Sequence, residues 1–557
     1  MAQGCKDRYF PVDIIKIKEY GIEKWRNDFF WPVSDSEFFA LYEDISASLR
    51  RYITTQPEEI GDIFLIQRYL VTEYLHFLHA LKVIQKIGRL GMRILYTDHT
   101  PWYKKLTTDH YPAENPIPNI GRPMCDLCNY TFCKNTEITI KKIAKNVIYN
   151  SNPLKCFKPK DNEENALFCG SVSSLTGEYI KKAPYYTYFT SPSDWLPKRF
   201  TYMIPNKKEN AIKEISRAFA DELRSIAVKN EIEIFNVHID HLRQMMQNEL
   251  IFSARILGAL KDEIKMRRKK IHLLTANLNS PFIRALSIAV RRQGGRITSF
   301  SHGGHIGLFD TPTMAFSEFA LSDEFITYTT KSIELFEKIK KSHKPLRPVN
   351  TVIKSADSNE YYKWYKMYNK KKLPKEVKKV MMVGYLYTHL RKHLTPSALG
   401  FMQLDLELRI IDLLKDAGYE VFYKAHPENL PEVESIFKSR VKVLKGYLED
   451  YLSLADAFIF THVKTTAFPI TLCTNKLVIA FCMAGSPIRP FPEPMELLKK
   501  RCDFVNMEFN GQNRVIFDEG QLLSYLSKNP QHPNNEFMET YLFPEKAKRE
   551  KDWRKDK

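Results

Sequence analysis

The stretch that decides the fold is YKAHPENL (423–430) followed, after a spacer, by DAFIFTHVKTTAFPITLCTNKLVIAF (456–481). Tyr419–Tyr423 is a short, mostly apolar run, Ala457–Phe460 a second, and Leu477–Phe481 a third that no charge interrupts. Such runs, separated by helical patterns, predict parallel strands covered on both faces. In a sheet of that kind ligands bind beyond the carboxyl ends of the strands. Lys424, His426, His462, Thr465 and Thr466 all fall at that end.

These residue types suit an anion. Lys424 supplies a fixed cation, His426 an imidazole, and Pro427 stiffens the turn. Thr465 and Thr466 stand where the next helix begins, so their hydroxyls and the first free N–H groups predict a cradle for a phosphate. Each residue alone is ordinary turn or capping chemistry; the combination points to a diphosphate or a sugar-linked monophosphate. Asp456 reads as a strand-start residue, not a catalyst.

Working outward, IHLLTA (271–276), SPFIRALSIAVRRQGG (280–295) and RITSF (296–300) predict an earlier strand–helix–strand unit, with Ser at the helix start and Gly at its stop. Its second strand runs into Ser301, His302, Gly303, Gly304 and His305. The two glycines let backbone approach a ligand closely, and the imidazoles offer acid/base or phosphate contacts. Asp310, on the same loop, is placed to orient His302 or to serve as the base. ALSDEFITY (320–328) reads as a further strand, Thr330–Lys340 as a helix, and VMMVGYLYTHL (380–390) as the strand and loop opening a second unit. That loop carries His389, Arg391, Lys392 and His393. Gln403–Ala417 reads as an amphipathic helix stopped by Gly418, and Arg489 lies on a Pro-rich loop within reach of the expected cleft.

The order SHGGH (301–305), KAHP (424–427), THVKTT (461–466) and TNKLVIAF (474–481) resembles bacterial surface-polysaccharide transferases of GT-B type, the enzymes of capsule and O-antigen synthesis. Kdo transferases, polysialyltransferases and CDP-glycerol polyol-phosphate transferases are wider relatives. The resemblance covers about residues 270–485. It implies two Rossmann-like domains facing across a cleft and a donor nucleotide, CMP- or CDP-linked, held by Lys424, His426, His462, Thr465 and Thr466. It also implies a His-Gly loop, with His302, Gly303 and Gly304, facing that donor. Such enzymes carry a Glu after the Thr pair to hold the donor ribose; here Pro469 or a near neighbour stands in that place.

Length and composition agree with a large α/β chain. At 557 residues more than one domain is expected. We expect residues 1–340 to form an N-terminal domain with helical insertions around a Rossmann-like core. Residues 341–378 read as a linker, 379–530 as the nucleotide-donor domain and 531–557 as a charged tail. Near-helical spacing of Phe64, Leu65, Leu70, Tyr74, Leu75, Phe77 and Leu78 places a helical region in the N-terminal half. No apolar run reaches about 18 residues, so no spanning helix is expected. MAQGCKDRYF has no apolar core, so no signal peptide is expected and a cytoplasmic protein is.

A net charge of +19 admits nucleic acid, an anionic membrane surface or an anionic substrate as partner. The charge is dispersed and no nucleic-acid motif accompanies it, so a peripheral enzyme near anionic lipid, using an anionic donor, is the reading preferred. Of the 9 cysteines, Cys125, Cys128 and Cys133 cluster as CDLCNYTFC. With Cys156, Cys169 or His110 they would offer four zinc ligands, against the plainer reading of reduced loop thiols. Asp98 and His99, in a polar loop, are acceptor-side candidates. No metal or other cofactor is expected to be required, because cations and helix N-termini can carry the electrostatic task.

Overall fold

A computed structural model describes residues 8–67, 70–97, 101–107, 165–170, 173–183, 186–190, 194–195, 202–266, 270–276, 278, 280–346, 349–369, 371–387, 400–483 and 490–545. Two strands, β1 (Arg8–Pro11) and β2 (Met92–Leu95), pair in parallel near the N-terminus. A six-stranded parallel sheet follows from β3 (Asn165–Cys169), β4 (Thr187–Thr190), β5 (Ile271–Thr275), β6 (Arg296–Phe300), β7 (Glu324–Thr327) and β8 (Val352–Ser355). Its order is β4-β3-β5-β6-β7-β8. The second sheet contains β9 (Lys379–Val383), β10 (Glu420–Lys424), β11 (Lys442–Leu444), β12 (Ala457–Phe460), β13 (Leu477–Met483), β14 (Asp503–Phe509) and β15 (Val515–Phe517). Its order is β11-β10-β9-β12-β13-β14-β15, parallel except for β15.

Both orders reverse direction once, so each sheet is doubly wound and each has a switch point where crevices form. In the second sheet that point lies between β9 and β12, flanked by β10. This is the GT-B-like α/β architecture expected from the sequence. The strands are largely apolar because both faces are covered: every residue of β5, β7 and β12 is buried, and the titratable ones among them, His272 and Glu324, are hydrogen-bonded. Thus β6 and β12 occupy the stretches read from sequence.

Helix Leu70–Arg89 lies where the aromatic spacing put a helical region. Helices Asp35–Thr55, Glu58–Ile66, Leu70–Arg89, Asn206–Lys229 and Asn236–Met266 share one core with Pro281–Arg292 of the first sheet. Three expected boundaries change. Phe10, Val12, Ile17, Trp25, Phe29 and Trp31 are buried in the core of the second sheet, not the first. The expected linker at 341–378 supplies β8, the edge strand beside β7, and the helix Tyr361–Tyr368. Within the expected tail, helix Glu536–Tyr541 returns to the first domain: Ser332 Oγ donates to the Tyr541 carbonyl at 3.3 Å and Asn359 Nδ2 to that of Leu542 at 2.8 Å. Phe537, Met538, Tyr541, Leu542 and Phe543 are buried, so apolar content within a charged segment is what docks it. Helix Glu519–Leu526 follows β15.

Candidate active site between the two sheets

The loop after β6 is built to bring backbone close to other parts of the chain. Gly304 N–H donates to Tyr361 Oη at 2.8 Å, and Ser301 Oγ donates to the Gly303 carbonyl at 3.2 Å. A Cβ at Gly304 would lie 2.5 Å from Leu542 Cδ2 and 3.0 Å from the Tyr361 ring. A Cβ at Gly303 would lie 2.8 Å from His305 Cε1 and Nδ1 and 3.0 Å from Thr466 Cγ2. Gly303 therefore marks where the first domain's loop touches the Thr-Thr loop of the second. Close by, Phe309 bridges Pro490, Phe491 N–H donates to the Leu308 carbonyl at 2.9 Å, and the Lys464 ammonium sits 5.0 Å from the Phe309 ring centroid.

Charge gathers at this junction. Burial pushes the His305 imidazole down to about 3, helped by the fields of His302, His462 and Lys464. His305 is therefore neutral at physiological pH, and its buried Nδ1 has no hydrogen-bond partner among the described residues. His302 is exposed, and His462 is half-buried with its ring edge-on to Tyr385 at 4.8 Å. Asp310 accepts from His343 Nε2 at 2.7 Å, so the partner seen for the carboxylate expected to serve His302 is a different imidazole.

On the second sheet, Lys424 ends β10 and is buried, its ammonium donating to the Ala425 carbonyl at 2.7 Å. Burial lowers its pKa while Glu449 and Asp450 act against that shift. His426 Nδ1 accepts the Glu428 N–H at 3.2 Å, so neutral His426 carries its proton on Nε2. Asp456 accepts the N–H groups of Lys378 and Lys379 at 3.1 and 3.0 Å, a strand-start clasp. The helix after the Thr pair, Ala467–Leu472, has only 6 residues. Its dipole is correspondingly small; its N-cap, Thr466, makes no side-chain capping bond, and Thr465 Oγ1 accepts the Ala467 N–H at 3.4 Å. Pro469 fits there because its missing N–H would have been one of the helix's unpaired donors. Arg501, fully buried, fixes the other end by donating to the carbonyls of Leu472 and Thr474 at 2.8 and 2.9 Å.

The structure thus brings His302, Gly303, His305, His462, Lys464 and Thr466 together from two sheets. Lys424 and His426 sit at the carboxyl end of β10, two strands from β12. Asp98, His99, His110, Cys125, Cys128, Cys133, Cys156, His389, Arg391, Lys392, His393 and Arg489 lie outside the described residues. Among the described residues no cluster of His, Cys, Asp or Glu could hold a metal ion, and no helix is long and apolar enough to cross a membrane. Sequence reasoning passed over Lys464, Tyr361 and Glu407. Glu407 had a signal: a carboxylate set among leucines in LDLELRII (404–411) is out of place on an apolar helix face.

No protein-family model matches the chain, and no curated protein matches it. Among solved structures it is similar to Phytolacca americana UGT2 complexed with UDP-2fluoro-glucose and pterostilbene, at TM-score 0.29 and 11% identity over 68% of this chain and 86% of that one. A superposition that loose fixes no correspondence between residues.

Proposed function

We propose that this protein is a glycosyltransferase of GT-B type. It moves a sugar, an acidic nonulosonic or Kdo-like sugar among the candidates, from a nucleotide donor to a surface-polysaccharide or O-antigen acceptor. The observation that supports this best is the meeting of the His-Gly loop with the Thr-Thr loop, marked by Gly303 against Thr466. Imidazoles and an ammonium from both loops stand within electrostatic reach there. A cation and imidazoles contributed from two domains suit a leaving nucleotide phosphate.

In this reading Lys424, His426, His462, Thr465 and Thr466 hold the donor phosphates. His426 Nε2–H donates to the departing oxygen, and Gly303 and Gly304 let backbone close over the donor. His302 takes the proton of the acceptor hydroxyl. Asp310, braced by His343, is the alternative base. Cations supply the charge compensation, so no metal is invoked. The donor is CMP- or CDP-linked. The acceptor is lipid-linked or a growing glycan, and the protein works in the cytoplasm at the inner, anionic face of the membrane. A polyol-phosphate transfer from a CDP donor would use the same phosphate contacts.

A second reading, a degenerate glycan- or nucleotide-binding module, is favoured by Pro469 in the place of a ribose-binding Glu. A thermal-shift screen with CMP, CDP, UDP and GDP tests donor binding, because a ligand of the native state raises its melting point. His426→Ala should abolish transfer without lowering the melting point. Full activity in that variant removes the assignment, and nucleotide binding without transfer or hydrolysis selects the second reading.

A further inference from the structure

Beneath the second-domain half of the site lies a carboxylate that takes no part in the steps above. Glu407, in helix Gly400–Asp416, is 0% exposed. It receives hydrogen bonds from Tyr385 N–H at 2.7 Å, Tyr387 Oη at 2.8 Å, Tyr423 Oη at 2.9 Å and Thr461 Oγ1 at 3.2 Å. None of the four partners is a cation. They come from the ends of β9, β10 and β12, the three strands that meet at the switch point.

Two of those strand ends lead directly into residues of the proposed site, and the third touches it through tyrosines. Tyr423 precedes Lys424, and Thr461 precedes His462. Tyr385 stacks edge-on against His462. Tyr387 holds the loop after His426 from both sides, its N–H donating to Asn429 Oδ1 at 2.9 Å and its carbonyl accepting from Leu430 N–H at 3.0 Å. Gly384 makes the arrangement possible, because a Cβ there would lie within 3 Å of the Tyr423 hydroxyl and ring.

We propose that Glu407 is the positioning residue that sets the spacing between the Lys424–His426 turn and the His462–Thr466 loop, so that both engage one nucleotide phosphate. The proposal rests on the donor-binding reading above. The ionised carboxylate fits four donors; a protonated one must turn an O–H toward a donor and release a partner. Burial pushes Glu407 up to about 7, with the hydrogen bonds from Tyr387, Tyr423, Tyr385 and Thr461 opposing. The switch between the two arrangements therefore falls near neutrality. Facing groups that titrate are Tyr387 and Tyr423, whose phenols burial and the Glu407 charge push well above their ordinary range, with Tyr385 and, across its ring, His462.

The test is Glu407→Gln, which keeps the shape and lets the tyrosine hydroxyls rotate to meet its amide, so the fold survives. Dissociation constants for CMP and UDP are measured by calorimetry from pH 5.5 to 8.5 in both proteins. At pH 8.5 the wild type should bind about tenfold more tightly, the size of one charge-assisted hydrogen bond lost from the support. At pH 5.5 the two should be equal, because the wild-type carboxyl is then protonated. Taking the ratio cancels the titration of the other histidines. A ratio that does not change with pH, or no difference at pH 8.5, overturns the proposal. If the wild type binds neither nucleotide, the donor reading fails, and the His462 ring resonance still decides the positioning role. A second inflection near pH 7 that Glu407→Gln abolishes supports the role; an unaltered single inflection overturns it.

Discussion

Gly303→Ala places one methyl group at the contact between the two domains. Its carbon would sit 2.8 Å from two atoms of the His305 ring and 3.0 Å from Thr466 Cγ2. Relaxed carbon contacts lie at about 3.5–4.0 Å, so the loops must separate by roughly 0.5–1 Å. His305 is buried and has little room to retreat. Gly303 is not in the left-handed region, so the cost is steric alone. Overpacking of this kind costs about 1–3 kcal/mol, offset by about 0.4–1 kcal/mol from a stiffer unfolded chain. The net loss of stability is about 0–2.6 kcal/mol; the steric part alone, falling on the closed arrangement, corresponds to about fivefold to 150-fold in nucleotide affinity. Calorimetric titration with a nucleotide, beside a melting curve, reads both quantities. Gly511→Ala, which meets nothing within 4 Å, is the matched control. If Gly303→Ala melts and binds like that control, the loops are not packed as described and the shared site is refuted.

Other consequences follow from the same contacts. Tyr361→Phe removes the acceptor of the Gly304 N–H and should cost about 1–3 kcal/mol, with faster hydrogen exchange at Gly304. Leu542→Ala empties a fully buried position under the His-Gly loop and should cost about 2–5 kcal/mol by denaturant melting. Gly88→Ala, in the helix Leu70–Arg89 with nothing near its Cβ, should stabilise by about 1 kcal/mol. Acid should destabilise the protein early. Burial pushes the imidazoles of His79 and His305 down to about 3 and that of His272 to about 4. Their folded pKa values lie below the unfolded value of about 6.5, so stability is complete above that pH and declines as pH falls toward the folded values. By pH 5 the loss is about 2 kcal/mol per ring for His79 and His305. His79→Gln should flatten the fall in melting temperature between pH 6.5 and 5; an unchanged slope would count against a neutral buried ring.

How far this site can be read without coordinates depends on how local each signal is. The strand β12 announces itself because AFIF, buried on both faces, is apolar along its whole length, and β6 (RITSF) because it follows a helix with a Ser start and a Gly stop. The polar residues that interrupt the chain at those strand ends, SHGGH and THVKTT, are visible with them. Partnership is not local. Asp310 stands eight residues from His302 yet bonds His343, because the loop's path is fixed by Phe309 and Phe491 contacts with the other domain. Residues 8–33 precede the first sheet in the chain but fill the core of the second. Helix Glu536–Tyr541 returns to pack on Thr330–Ser342 of the first domain and Pro492–Arg501 of the second because its apolar face finds cover between them, a fact that a charge-rich segment conceals.

By itself, then, the order of residues determined two parallel α/β units, the loops that leave their carboxyl edges, and the cationic character of those loops. Tertiary structure alone decided which loops meet, that Gly303 is the point of contact, and that a single buried carboxylate at Glu407 ties three strand ends together. Apolar periodicity is set by neighbours along one chain segment, whereas convergence is set by how two sheets and a returning helix bury their remaining surfaces against each other.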